Sequence, residues 1–182
     1  MDQVYDRKLR GLTLLEVLIA GAVFSAMMLA VLAVYKTALG ARAREEEGSA
    51  TYRAAMLAIE HVQSLLRGSQ VVEPSDPAAP PATRAVYRPS LRENGRVKVD
   101  SGGVPVWGDP VTLRMDAAGN LVREEPSGIR ILAPLGPSGS VAFRLLDPRM
   151  LEVRVVAART NPSTLAVTRS LAECRLTLPN QP

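Results

Sequence analysis

The chain has 182 residues, a formal net charge of +4, 47% hydrophobic residues and seven aromatics, namely two Phe, one Trp and four Tyr. That length suits one domain of ordinary size plus an appendage, and with so few rings a globular core must be built from Val, Leu, Ile and Ala. The single Cys174 excludes an intramolecular disulfide and a cysteine-based metal cage, and Lys and Arg are scattered among acids rather than clustered as a nucleic-acid footprint requires.

In chain order, residues 1–11 read as a polar leader in which Arg7, Lys8 and Arg10 precede Gly11. From Leu12 to Tyr35 there are 24 residues, of which only Glu16 is charged. At 1.5 Å per residue such a run makes a helix of roughly 36 Å, long enough to cross a bilayer. It is too long for the apolar region of a secretory signal, and no small-residue cleavage site with a polar break follows it. The basic residues ahead of it are expected to stay cytoplasmic, which puts the chain beyond Tyr35 outside. A carboxylate inside a span is costly and marks a functional candidate with a partner to be named. Glycine at Gly11 lets the backbone enter a protease cleft in extended form. A cut there creates a positive amino terminus, and in low dielectric that charge and Glu16 have strong reason to pair. Alternatively, Glu16 lies at headgroup level near the helix start, where the helix dipole favours it.

The stretch Gly11-Leu12-Thr13-Leu14-Leu15-Glu16-Val17-Leu18-Ile19-Ala20 resembles the class III signal of type IV pilins and type II secretion pseudopilins. The resemblance covers residues 7–36 directly. It implies cleavage by prepilin peptidase between Gly11 and Leu12, N-methylation of Leu12, and filament assembly through Thr13 and Glu16, with Glu16 paired to the amino terminus of a neighbouring subunit. Leu12 stands where the family most often has Phe. The implied fold is α+β and type IV pilin-like: a long N-terminal helix, membrane-spanning in its first half, packed by its second half on a C-terminal antiparallel sheet. The implied partners are the peptidase, other pilin or pseudopilin subunits, inner-membrane lipid and assembly-platform proteins. The implied location is the inner membrane, single-pass with a cytoplasmic N-terminus, followed by a pilus or a periplasmic pseudopilus. No cofactor is expected.

No proline occurs before Pro74, so one helix could run from Leu12 to Arg67, on the order of 84 Å. The expected divisions are 1–11 leader, 12–36 span, 37–67 amphipathic continuation, 68–108 proline-rich connection and 109–182 sheet domain. Tyr52, Met56, Ile59, Val62 and Leu66 follow helical steps and predict the stripe that the sheet covers. The charged run 42–48 reads as a solvated bend, with inter-subunit charge pairing as its functional alternative. Gly40 and Gly48 weaken the helix by about 1 kcal/mol each and invite a break. His61, with no ligand-type neighbour at suitable spacing, reads as a helix-surface residue. Gly68 and Pro74 end the helix, and residues 73–81 are a loop by composition. A short strand is expected at 97–99, followed by a Ser-Gly-Gly turn and the segment 104–107.

Alternation then becomes clear. Val111, Leu113 and Met115 share a strand face, and residues 116–120 turn the chain back through 121–125. Asp116 and Asn120 invite a calcium reading, but the segment lacks the several acidic ligands of a dedicated loop, and a turn is favoured. Val141, Phe143 and Leu145 alternate, Asp147–Met150 turns, and Leu151, Val153 and Val155 return. A strand candidate at 165–168 follows, and Cys174, Leu176 and Leu178 close one inward face, with Cys174 read as a small buried strand residue. One partly one-sided antiparallel sheet is the expected result.

No nucleophile–base pair, phosphate loop or paired carboxylates can be read, so the chain is not expected to be an enzyme. The leading reading is a minor pilin or minor pseudopilin in a priming or tip complex. Ala33 stands where many major pilins carry a helix-disrupting proline, and the C-terminal half is loosely similar to J-type and W-type minor subunits. The alternatives are a tip adhesin or competence pseudopilin that binds a surface or DNA, and a membrane-tethered protein that never polymerises.

Overall fold

The computed structural model describes residues 13–161 and 165–178. The order is α1 (Leu14–Leu66), β1 (Gln70–Glu73), β2 (Arg84–Arg88), β3 (Arg92–Glu93), β4 (Arg96–Val97), β5 (Val111–Met115), β6 (Asn120–Glu125), β7 (Gly128–Pro134), β8 (Ser140–Asp147), β9 (Met150–Thr160) and β10 (Val167–Thr177). The protein is therefore α+β, with one long apolar N-terminal helix and antiparallel sheets. It divides into two compact units, Met1–Glu45 and Glu46–Pro182.

In the first unit, every described residue of α1 is exposed, including Leu14, Val17, Phe24, Met27, Leu29 and Val34. Its hydroxyls bond back to the helix: Ser25 Oγ donates to the Gly21 carbonyl at 2.8 Å, and Thr37 Oγ1 to the Ala33 carbonyl at 3.0 Å. This is how Ser and Thr avoid leaving an unsatisfied hydroxyl in an apolar setting. Contrary to the expected break, the helix continues through Gly40 and Gly48. Gly40 lies between the strong helix formers Leu39 and Ala41, and Thr51 Oγ1 donates to the carbonyls of Glu47 and Gly48 at 2.8 and 2.9 Å.

In the second unit the helix face turned inward is Thr51, Ala55, Ala58, Ile59, Val62 and Leu66. This corrects the expected stripe. Ile59, Val62 and Leu66 are inside, but Tyr52 is 53% exposed and Met56 37%. Hydrophobic periodicity weights large side chains, whereas the buried positions of the earlier turns are Ala and Thr, whose size lets the helix backbone approach the sheet closely.

The connection 68–108 is also more structured than its composition indicates. It holds β1 to β4, and β1 and β2 form one side of a five-stranded sheet of order β1-β2-β5-β6-β7. The prolines cluster between β1 and β2 and hide two short strands on either side of them. Tyr87 of β2 is among the largest fully buried side chains. β3 and β4 pair separately as a small ribbon.

Residues 109–182 do not form one sheet as expected. β5, β6 and β7 complete the first sheet, while β10-β9-β8 form a second, three-stranded one. Its inward rows are Phe143–Val153–Cys174 and Leu145–Leu151–Leu176, and both sheets share one apolar cluster with the helix stripe. The sheets meet through main-chain bonds. Ala82 and Phe143 exchange two of 2.8 Å, Leu135 N donates to the Gly119 carbonyl at 2.9 Å, and Ala158 N donates to the Leu135 carbonyl at 2.8 Å. Gly119 and Gly136 make this approach feasible. Both have positive φ, and a Cβ would fall on the Gly136 carbonyl in the first case and on the Ala158 carbonyl in the second.

Candidate functional site

The sequence points to the start of α1. Gly11 and Leu12 lie outside the described residues. Thr13 and Glu16 are described and touch each other. Thr13 N donates to Glu16 Oε2 at 2.8 Å, Thr13 Oγ1 donates to the same oxygen at 3.1 Å, and Glu16 N donates to Thr13 Oγ1 at 3.2 Å. This is a reciprocal capping box, with Thr13 as N-cap and Glu16 as the third helical residue, and it satisfies two of the orphan N–H groups at the helix start. The Thr-x-x-Glu spacing that announces it is present in the sequence as Thr13-Leu14-Leu15-Glu16.

The other singled-out groups are engaged locally. Glu47, in the charged run, accepts a hydrogen bond of 2.6 Å from Asn161 Nδ2 in the β9–β10 connection. Asp116 Oδ1 accepts from Asn120 N at 2.7 Å and Oδ2 from Asn120 Nδ2 at 2.9 Å, which makes the segment a side-chain-stabilised turn. These bonds, the backbone one first, hold the Asp116 carboxyl below the ordinary carboxylate range. Burial pushes the Cys174 thiol up, against an opposing hydrogen bond from Gln63, so it is a poor nucleophile at neutral pH. His61 is half-buried rather than on the surface, and its Nδ1 has no hydrogen-bond partner among the described residues. Among the described residues no group of three His, Cys, Asp or Glu side chains is placed to hold a metal ion.

One polar cluster escapes sequence reading. Arg123 pairs across from Leu113, and Leu121 from Met115, so Arg123 shares the inward face of β6 with the fully buried Leu121. Arg123 forms an ion pair with Glu125 two residues on. Tyr87 is 1% exposed beside them, and its hydroxyl has no hydrogen-bond partner among the described residues. Burial pushes that hydroxyl up to about 12; Arg123 opposes the shift and Glu125 adds to it. The signal was available in the alternation Leu121, Arg123, Glu125, which places two charges on an inward strand face.

The chain matches no protein-family model, no curated protein and no solved structure. Its class therefore rests on its own features: an α+β protein whose single long apolar helix is compatible with one membrane crossing.

Proposed function

We propose that this protein is a minor filament subunit of the type IV pilin or type II secretion pseudopilin kind. It is held in the inner membrane by the first half of α1, cut after Gly11 by prepilin peptidase, methylated at Leu12, and assembled through that helix with its sheet domain outward. The observation that carries the proposal is the start of α1. The apolar first part of α1, up to Leu39, is exposed throughout its described residues and bears one carboxylate, Glu16, a few residues from a glycine preceded by basic residues. A helical segment that buries none of its apolar side chains within its own chain needs lipid or other copies of itself as solvent. In a filament, the amino terminus of one subunit would meet Glu16 of the next, and neither charge would enter the apolar core alone.

The capping box favours a second reading, a tethered protein that does not polymerise, because it gives Glu16 work within its own helix. The variant Glu16→Gln separates the two. Glutamine keeps a capping box but carries no charge. Under the filament reading, Glu16→Gln protein is processed normally, seen by mass spectrometry as a chain beginning at methylated Leu12, and is absent from filaments or fails to initiate them. Normal incorporation of Glu16→Gln overturns the charge-pairing mechanism, and an uncut Met1 start in cells with active peptidase overturns the family assignment.

A further inference from the structure

Beyond the filament reading, and independent of it, the second unit carries a cationic cavity at the C-terminal end of α1. There the helix ends through Gly68, beside β2, β6 and the segment that leads into β3. Together they line an open cavity of about 150 Å³. Three of the lining residues are arginines from three different elements, Arg67 after the helix, Arg92 in β3 and Arg123 in β6, and no acidic residue lines the cavity. Among the described residues neither Arg67 nor Arg92 forms an ion pair. Arg123 gives its Nη2 to Glu125, but its Nε is buried without a hydrogen-bond partner. Tyr87 lines the same cavity, and its buried hydroxyl likewise has no partner among the described residues.

Buried donors are normally satisfied, so two orphaned donors on side chains that line one cavity point to an acceptor there. A single water could accept from either, but water does not account for two guanidinium groups without an ion-pair partner, those of Arg67 and Arg92, lining one cavity with Arg123. Guanidinium forks match the planar or tetrahedral oxygens of carboxylate and phosphate groups. The Tyr87 hydroxyl, held protonated by its burial, donates across the physiological pH range. The volume is below the several hundred Å³ typical of pockets for whole cofactors or drug-sized molecules, so it suits a terminal group.

We propose that this cavity binds a small oxyanion, the phosphate or carboxylate group of a molecule whose remainder lies outside, gripped by Arg67, Arg92, Tyr87 and the Nε of Arg123. Ser90 adds a hydroxyl at the rim and ties the site to Trp107, with which it forms an isolated β-bridge. The only tryptophan of the chain is therefore a built-in reporter.

The test uses the full chain in neutral detergent, with thermal unfolding followed by Trp107 fluorescence. Inorganic phosphate and acetate are titrated separately against sodium chloride at matched ionic strength, because screening alone shifts surface electrostatics. The expected result is a saturable rise in Tm of several degrees with at least one of the two anions. A response to phosphate alone assigns a phosphoryl ligand, and a response to acetate alone a carboxylate. The exposed pair Arg67→Gln and Arg92→Gln together is expected to leave Tm in chloride unchanged and to weaken anion binding at least tenfold. Tyr87→Phe, which removes an unsatisfied hydroxyl, is expected to unfold no earlier than the parent in chloride and to bind the anion several-fold more weakly. The proposal is overturned by equal Tm values in phosphate, acetate and chloride, or by an unaltered anion response in the double arginine variant.

Discussion

Thr13 and Glu16 cap the start of α1 reciprocally, each side chain bonding the other's main-chain N–H, with distances of 2.8 and 3.2 Å. Glu16 thus has a structural role before any neighbour arrives, and that separates two substitutions usually treated as equivalent. Glu16→Ala removes cap and charge together, whereas Glu16→Gln removes only the charge. Circular dichroism of the two variants in detergent should show helix content preserved for Glu16→Gln and reduced at the N-terminal turns for Glu16→Ala. Filament incorporation should be lost in both.

The inward face of the helix makes a second contrast. Leu66 is fully buried while Tyr52 is 53% exposed, although both belong to the same apolar stripe in the sequence. Leu66→Ala is expected to destabilise the second unit by about 2–4 kcal/mol through lost transfer energy and the cavity left behind. Tyr52→Ala should change stability by no more than about 0.5 kcal/mol. Urea unfolding followed at Trp107 measures both. Equal losses at the two positions would mean that the stripe is seated as the periodicity alone suggests.

The long helix was legible because apolar length and the absence of proline before Pro74 are large, redundant signals. The hairpins around residues 116–120 and 147–150 were legible because alternation flanks turn residues. What periodicity could not supply was the seating of the helix, since Thr51, Ala55 and Ala58 carry little hydrophobic weight yet are fully buried. β1 and β2 were obscured by the prolines between them. β7, with Ile129 and Ile131 exposed and Leu132 packed against the core, shows no clean inward alternation, because its register shifts beside the Leu121 pairing. At the helix start the residue types and their spacing were readable. The capping role of Glu16 was overlooked because the cost of a charge in a membrane drew the reading toward a partner subunit and away from the local backbone.

The junction between the sheets depends on two glycines, of which Gly136 leaves the shorter distance to a neighbouring carbonyl. Its φ is +87°, and a Cβ would meet the carbonyl oxygen of Ala158, whose own N–H bonds Leu135. Gly136→Ala combines an unfavourable dihedral with a backbone collision that no rotamer change relieves, and a loss of about 3 kcal/mol or more is expected. Gly128 has φ +143° and open space around it, so Gly128→Ala should cost only about 1 kcal/mol. Comparing their urea midpoints isolates the collision from the dihedral.

Asp116 gives the second unit an acid-sensitive turn. Its carboxyl is held below the ordinary range by Asn120, so the folded chain binds this proton more weakly than the unfolded chain. The stabilisation is complete above the unfolded-state value and is lost as pH falls through the lower folded-state value, that is, below about pH 4. Asp116→Ala should lower stability at pH 7 and shrink its own deficit at pH 3. A deficit that stays constant across this range would show that the charge is not what holds the turn.

Tyr87 sets the opposite limb. Burial raises its hydroxyl to about 12, against about 10 for an unperturbed tyrosine. The folded chain therefore holds the phenolic proton more tightly than the unfolded chain. The resulting stabilisation is fully present below pH 10 and disappears as pH rises toward 12, a decline on the order of 2 kcal/mol. Tyr87→Phe has no proton to lose, so its stability should fall less steeply over the same interval, as measured by urea midpoints at pH 9, 10 and 11. An oxyanion bound beside the hydroxyl disfavours the phenolate further, so saturating phosphate or acetate should move the decline of the parent chain to higher pH and leave the Tyr87→Phe profile where it was. Parallel profiles for parent and variant would show that the hydroxyl is exposed to solvent in the folded protein, and the buried donor on the cavity wall would be lost with it.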